Sequence, residues 1–219
     1  MREKIREILK SYPWQQIPAL PGRTNKIQCG VLVPITFADN PKVYAGQRSM
    51  DLTNHAGEIC FPGGRPEEND SNLQATAIRE AEEEMGISDV EIMGRLSSIP
   101  VYTSDYRLEP FVGVLGQAPK LPDGNEIIRI HTIDLVEVLD RPCINCIPWP
   151  NDEGTHLSPV FEIDDRLMFG ATAYVMLELL ELVAPLVNRS TPERRPGPYT
   201  WDDVLSISKT KRDKGKNTI

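Results

Sequence analysis

The chain has 219 residues, 40% of them hydrophobic and 26% charged, with a formal net charge of −8. That is apolar material for one good core in a globular protein, and the acidic balance argues against general nucleic-acid binding, which favours basic surfaces. No apolar run is expected to be long enough to span a bilayer, so neither nucleic acid nor membrane is an expected partner.

Met1 to Lys10 mixes acids and bases without an apolar core, unlike a signal or transit peptide, and no Ser-Lys-Leu tail is present. The cytoplasm is therefore the expected location, with an organelle left open. Ile5, Ile8 and Leu9 line one side of a short amphipathic helix. A lead-in through Pro13, Pro18 and Pro21 follows, up to residue 26. Gly30 to Phe37 is an apolar, β-branched run that predicts a buried strand. Asn40-Pro41 marks a turn, and Val43 to Arg48 a second strand. Ile59 to Phe61 is a short strand running into Gly63-Gly64.

The helix that comes next carries the chemistry. Ser71, with Gln74 three residues on, reads as a capping box that starts it, and Gly86 as the left-handed residue that stops it. Leu73, Ala77, Ala81 and Met85 form a stripe suited to burial. Glu80, Glu83 and Glu84 stand at i, i+3 and i+4 and share another face, while Glu82 points to water. Like charges at that spacing repel by about a few tenths of a kcal/mol per pair. A bound divalent cation reverses the sign, and carboxylate oxygens suit hard ions such as Mg2+ or Mn2+. The alternative is an acidic, solvated helix face.

Beyond Gly86, Val90 to Ile99 predicts a strand pair or bent strand, and Leu108 to Leu115 another strand. Tyr102 and Tyr106, near strand ends, read as packing before base stacking. Asn125 to Ile133 is a further strand, after which Asp134 caps a short helix, Leu135 to Leu139. Cys143 and Cys146 form a lone C-x-x-C with no further zinc ligands and with Pro148 and Pro150 behind it. It reads as an ordinary loop with reduced thiols. Val160 to Ile163 predicts a last strand. Met168 to Ala173 opens a long helix with Met176, Leu177, Leu180 and Val183 inward, ended by Pro185. Pro192, Pro196 and Pro198 predict a stiff linker. Thr200 to Ile207 predicts a helical turn or two, and the basic run from Lys209 to Lys216 a solvated tail. The expected division is a lead-in over 1–26, a domain over 27–188 and an extension over 189–219.

Gly64 and the segment Arg79-Glu80-Ala81-Glu82-Glu83-Glu84-Met85-Gly86-Ile87 resemble the Nudix box. The middle departs from it: the acid is Asp70 instead of Glu, and eight residues instead of seven separate it from Arg79. The coenzyme A pyrophosphatase branch of the Nudix family shares that departure. Its second signature is matched by Arg48-Ser49 and by His55-Ala56-Gly57-Glu58-Ile59-Cys60-Phe61-Pro62-Gly63-Gly64. Tyr44-Ala45-Gly46 and Thr53 depart from the branch pattern. Glu109 to Val112 and the Met168–Ala173 segment, with Phe169 in a tryptophan's place, resemble further branch segments. The resemblance covers about residues 27 to 185.

The resemblance implies an α/β Nudix fold, with a mixed β-sheet sandwiched between helices (α/β/α). It implies Mg2+- or Mn2+-dependent cleavage of the pyrophosphate of coenzyme A or acyl-CoA. The products would be 3',5'-ADP and 4'-phosphopantetheine or its acyl form. Glu83 and Glu84 are then the firmest metal ligands, Glu80 a ligand or base, and Gly63 a ligand through its carbonyl. Arg79 can orient Glu83 across one helical turn. Glu126 is a candidate further acid. Arg48 suits the 3'-phosphate as a guanidinium fork, Ser49 accompanies it, and His55 is a substrate donor or a loop fixer. A small-molecule nucleoside diphosphate of the coenzyme A class is the expected partner, and a homodimer stays open. Two other readings remain: a Nudix hydrolase for another nucleoside diphosphate derivative, such as ADP-ribose or a dinucleotide, and a Nudix-fold binding protein without turnover.

Overall fold

The computed structural model describes residues 1–209, apart from 120, 121, 123, 152 and 153. Its elements in chain order are α1 (Arg2–Lys10), β1 (Ile27–Phe37), β2 (Pro41–Arg48), β3 (Ile59–Cys60), β4 (Gly63–Gly64) and α2 (Leu73–Met85). Then come β5 (Val90–Arg95), β6 (Ile99–Pro100), β7 (Tyr106–Leu115), β8 (Ile127–Asp134) and α3 (Leu135–Leu139). The last are β9 (Ile144–Asn151), β10 (Gly154–Pro159), β11 (Phe161–Ile163), β12 (Arg166–Met168), α4 (Gly170–Val183), β13 (Arg194–Pro196) and α5 (Trp201–Lys209).

The main sheet has eight strands and is mixed: β1 runs parallel to β7 and antiparallel to β2. β1 and β2 pair only near their turn, from Ile35↔Val43 to Phe37↔Pro41. Beyond that they part, and the short strands fill the gap. β3 pairs with β2 at Gly46↔Cys60, and β4 pairs with β1 at Gly30↔Gly64. The glycine loop is thus pinned on both sides, inside the sheet.

Alternation along β1 sends its side chains to two cores. Leu32 packs under α2 with Ala77, Ala81, Met85, Ile87 and Leu115. Val31, Val33 and Ile35 face the other way, into a larger core with α1, α3 and α4. Helices on both faces confirm the α/β expectation. Ile5 and Leu9 of α1 belong to the larger core, and Ile8 is only half-buried. The side chains expected inward on α4 are all buried, and the helix passes at Ala184 into a 3-10 turn containing Pro185.

Several expectations need correction. The N-cap of α2 is Asn72, whose side-chain oxygen accepts from the Ala75 N–H at 3.0 Å. Ser71 lies one residue too early, and its hydroxyl meets the Asn72 amide instead. Cys146 is not in a loop but in β9, which pairs with β10 and β13. Its two prolines follow the stretch, Ile144 to Cys146, that β13 covers, so they fall on an edge where a missing N–H is tolerated. The thiols are free, as expected. β13 itself replaces part of the expected linker. β11 is not the last strand, since it turns back into β12 at Asp164, a left-handed residue. The stretch Gly170–Val187 is 18 residues with mean hydropathy 1.5, so one apolar run does meet the length of a membrane span. In this fold its apolar face is core packing.

Asp134 caps α3 by accepting from the Val136 and Glu137 N–H groups, and Thr200 with Asp203 caps α5. Tyr102 packs against Trp149 and Trp201, with ring centroids 4.6 and 6.1 Å away. The basic tail beyond Lys209 lies outside the described residues.

Candidate active site

α2 sits close to the sheet because small residues let it. A Cβ on Gly30 would collide with the carbonyl oxygen of Leu73, and Ala77 and Ala81 are fully buried beside it. The helix therefore presents its acids directly to the glycine loop. Glu84 is buried, and its Oε2 accepts from the Gly63 N–H at 3.1 Å. Glycine at 63 is a steric requirement of the loop: a Cβ there would come within 2.5 Å of the Gly30 carbonyl oxygen. Glycine at 64 leaves room for Glu80, whose carboxylate would clash with any Cβ.

Arg79 ties the outer part together. Its guanidinium donates to Glu83 at 2.9 Å, Glu80 at 3.0 Å, Asp70 at 3.1 Å and the Arg65 carbonyl at 3.2 Å. Asp70 is held down at about 2 by that hydrogen bond and by the Glu67 N–H. The departure from the motif at Asp70 thus serves to anchor Arg79. Glu83, the most exposed of the three acids, is paired with Arg79.

The remaining acids crowd one another. Burial, and then the charges of Glu80 and Glu126, push Glu84 up to about 8, although the Gly63 N–H and Arg48 favour its charged form. Glu80 is raised by burial, then by Glu83 and Glu126, against Arg79. Glu126 approaches from the bend before β8. Arg48, at the end of β2, stands between: its Nη1 is 3.9 Å from Glu84 and its Nη2 3.5 Å from Glu126. Its Nε is buried with no hydrogen-bond partner among the described residues. Cys60 lies beside Arg48 and Glu84, and burial, then the Glu84 charge, push its thiol up to about 12.

Ser49 and His55 shape the loop that carries Arg48. The Ser49 N–H donates to the Glu126 carbonyl at 2.7 Å, which fixes the two segments together, and its hydroxyl accepts from Asp51. His55 has a left-handed backbone and bonds Glu58 at 3.0 Å, while the Gly57 N–H returns to the Arg48 carbonyl. These bonds tie His55 into its own loop. The departures at Tyr44 and Gly46 have packing reasons: the Tyr44 hydroxyl bonds Thr36 at 3.0 Å, and Gly46 lies against Ile127.

The structure thus brings Glu80, Glu84 and Glu126 into one electrostatic cluster, with Arg48 beside Glu84 and Glu126 and with Arg79 holding Glu80 and Glu83. Among the described residues, no three His, Cys, Asp or Glu side chains converge tightly enough to ligate a metal as placed. The chemistry of the donors nevertheless fits a hard divalent cation. They are carboxylate oxygens, and Glu84 keeps a raised pKa because its surroundings do not compensate its charge. Sequence reasoning missed Cys60, which gives no motif signal, and left the role of Asp70 unassigned.

The NUDIX domain family pattern matches residues 27–144, more than half of the chain. The chain belongs to the Nudix family. Among curated relatives, an uncharacterized Nudix hydrolase, NudL, of Photorhabdus laumondii is 31% identical over 174 residues, covering 77% of this chain and 92% of the relative. NudL of Escherichia coli, likewise described as an uncharacterized Nudix hydrolase, is 37% identical over 160 residues, 71% of this chain and 82% of the relative. Among solved structures, the NUDIX domain of Shewanella oneidensis NrtR complexed with ADP ribose is similar, with 19% identity and a TM-score of 0.43. It covers 62% of this chain and 86% of that one. Nudix membership implies a pyrophosphohydrolase, and such hydrolases generally use a divalent ion such as Mg2+ or Mn2+.

Proposed function

We propose that this Nudix hydrolase cleaves the pyrophosphate of coenzyme A or an acyl thioester of it, giving 3',5'-ADP and 4'-phosphopantetheine or its acyl form. The observation that carries the reading is the meeting of two sequence signatures in one place. Arg48, from the upstream signature, stands 3.9 Å from Glu84, from the Nudix box.

Anionic oxygens around phosphorus repel a nucleophile, so hydrolysis needs positive charge on those oxygens and a positioned water. Glu80, Glu83, Glu84, Glu126 and the Gly63 carbonyl are the groups that would hold Mg2+ or Mn2+. When bound, the ion neutralises diphosphate charge and makes water more acidic. Arg79 keeps Glu80 and Glu83 oriented through the bonds already described. Glu80 is the ligand or base of the set: burial raises its pKa, and Arg79 opposes that shift while holding the carboxylate in place. Arg48 places its positive charge beside Glu84 and Glu126, where a substrate phosphate would meet it, and Ser49 and His55 hold the loop that follows it.

Purified protein with Mg2+ or Mn2+ should be offered coenzyme A, ADP-ribose and diadenosine polyphosphates, with products separated by chromatography. Release of 3',5'-ADP from coenzyme A is expected. Cleavage of ADP-ribose alone would reject the substrate while keeping the chemistry, and tight binding without cleavage would favour the binding-protein reading.

A further inference from the structure

We propose that Arg65, at the mouth of a cavity of about 480 Å³ beside Glu80, binds a phosphate of the diphosphate substrate. The inference deepens the hydrolase reading and rests on it. The cavity lies between the start of β1, the loop after β4 and the first turn of α2, and Glu80 forms part of its wall. Among the described residues, Arg65 is the one basic residue lining it, and Arg65 is exposed. Among the described residues its side chain makes no ion pair or hydrogen bond, unlike Arg48 and Arg79, which are committed to acids.

Arg65 is also held at a fixed place. It follows β4 directly, which is paired to β1 on one side and packed on the Glu80 carboxylate on the other. Its carbonyl accepts from Arg79, the same guanidinium that orients Glu80. The charges of Arg65 and Glu80 both act on the buried thiol of Cys29, with opposite sign, so both stand within electrostatic reach of it. Gln28 also lines the cavity and is anchored by its amide on Glu109 at 3.0 Å. Ile27 and Leu73 add apolar surface, and Glu67 at the rim is drawn toward Arg79. A free guanidinium beside an acid of the hydrolytic site, in a cavity lined by both polar and apolar side chains, suits a phosphate that carries an organic group.

The test is steady-state kinetics of Arg65→Ala and Arg65→Lys with coenzyme A and Mg2+, beside binding of inorganic pyrophosphate by titration calorimetry. A lost charge-assisted contact predicts a KM roughly 10- to 100-fold higher for Arg65→Ala, with kcat changed less than about three-fold. Pyrophosphate binding should weaken in parallel, and Arg65→Lys should recover part of both. An unchanged KM and unchanged pyrophosphate affinity in Arg65→Ala would overturn the assignment, as would a fall in kcat alone. If the wild type cleaves ADP-ribose but not coenzyme A, the substrate is wrong, and the same KM shift is then required with ADP-ribose. If it cleaves neither, the pyrophosphate titration decides.

Discussion

α2 and α4 are nearly equal in length and lie on opposite faces of the same sheet, yet they bury different chemistry. α4 buries Ala173, Val175, Met176, Leu177, Leu179, Leu180 and Val183, all apolar. α2 buries Thr76, Ala77, Ala81, Glu84 and Met85, so one of its few buried side chains is an acid in a raised-pKa environment. The first helix is built for hydrophobic stabilisation, roughly 1.5–3 kcal/mol per large side chain. The second gives up large side chains to come close to Gly30, and it accepts the desolvation of Glu84. One face holds the fold and the other is fitted to hold charge.

The comparison can be broken most sharply at Glu84. Glu84→Gln should lower kcat with the preferred diphosphate roughly a hundred- to thousand-fold, while melting at or above the wild-type temperature without metal. Loss of folding together with activity, seen by circular dichroism, would erase the distinction between the helices. Leu180→Ala is the counterpart on α4. It should cost roughly 2–5 kcal/mol in urea unfolding and leave the kcat of the folded fraction unchanged. Gly30→Ala tests the close approach of α2 and should cost roughly 1–3 kcal/mol, with a drop in kcat because the acids move with the helix.

The smallest effect is on pH dependence. Glu84 has a folded pKa of about 8, above its ordinary 4.5. Its protonated form therefore favours the native state; that contribution is fully present below about 4.5 and is lost as pH rises through about 8. Without metal, the melting temperature should fall between pH 6.5 and pH 9, and the slope should flatten in Glu84→Gln. An equal slope in both proteins would place the sensitivity elsewhere.

Local patterns announced most of α2 and its acidic face, the Gly86 stop, the Asp134 cap and the apolar run of β1, because each rests on residues a turn or two apart. Other features depend on contacts between distant segments. Arg48 meets Glu84 and Glu126 only because β2, α2 and the bend before β8 converge, so its facing could not be read locally. Asp70 reaches Arg79 across a loop, which turned a motif irregularity into an anchor. The β9–β10 hairpin was hidden because Pro148 and Pro150 read as loop residues, and only their position past β13 makes them tolerable in a strand. Asn72 and Ser71 are both good caps, and only the geometry of the first turn chose between them.

The central claim is that Glu84 and its neighbouring acids form the place where a divalent cation binds. Electron paramagnetic resonance of Mn2+ titrated into wild type and Glu84→Gln tests it most directly. The account predicts a bound fraction in the wild type that is lost or strongly weakened in the variant. Equal Mn2+ binding by the two proteins, or none by the wild type, would contradict it.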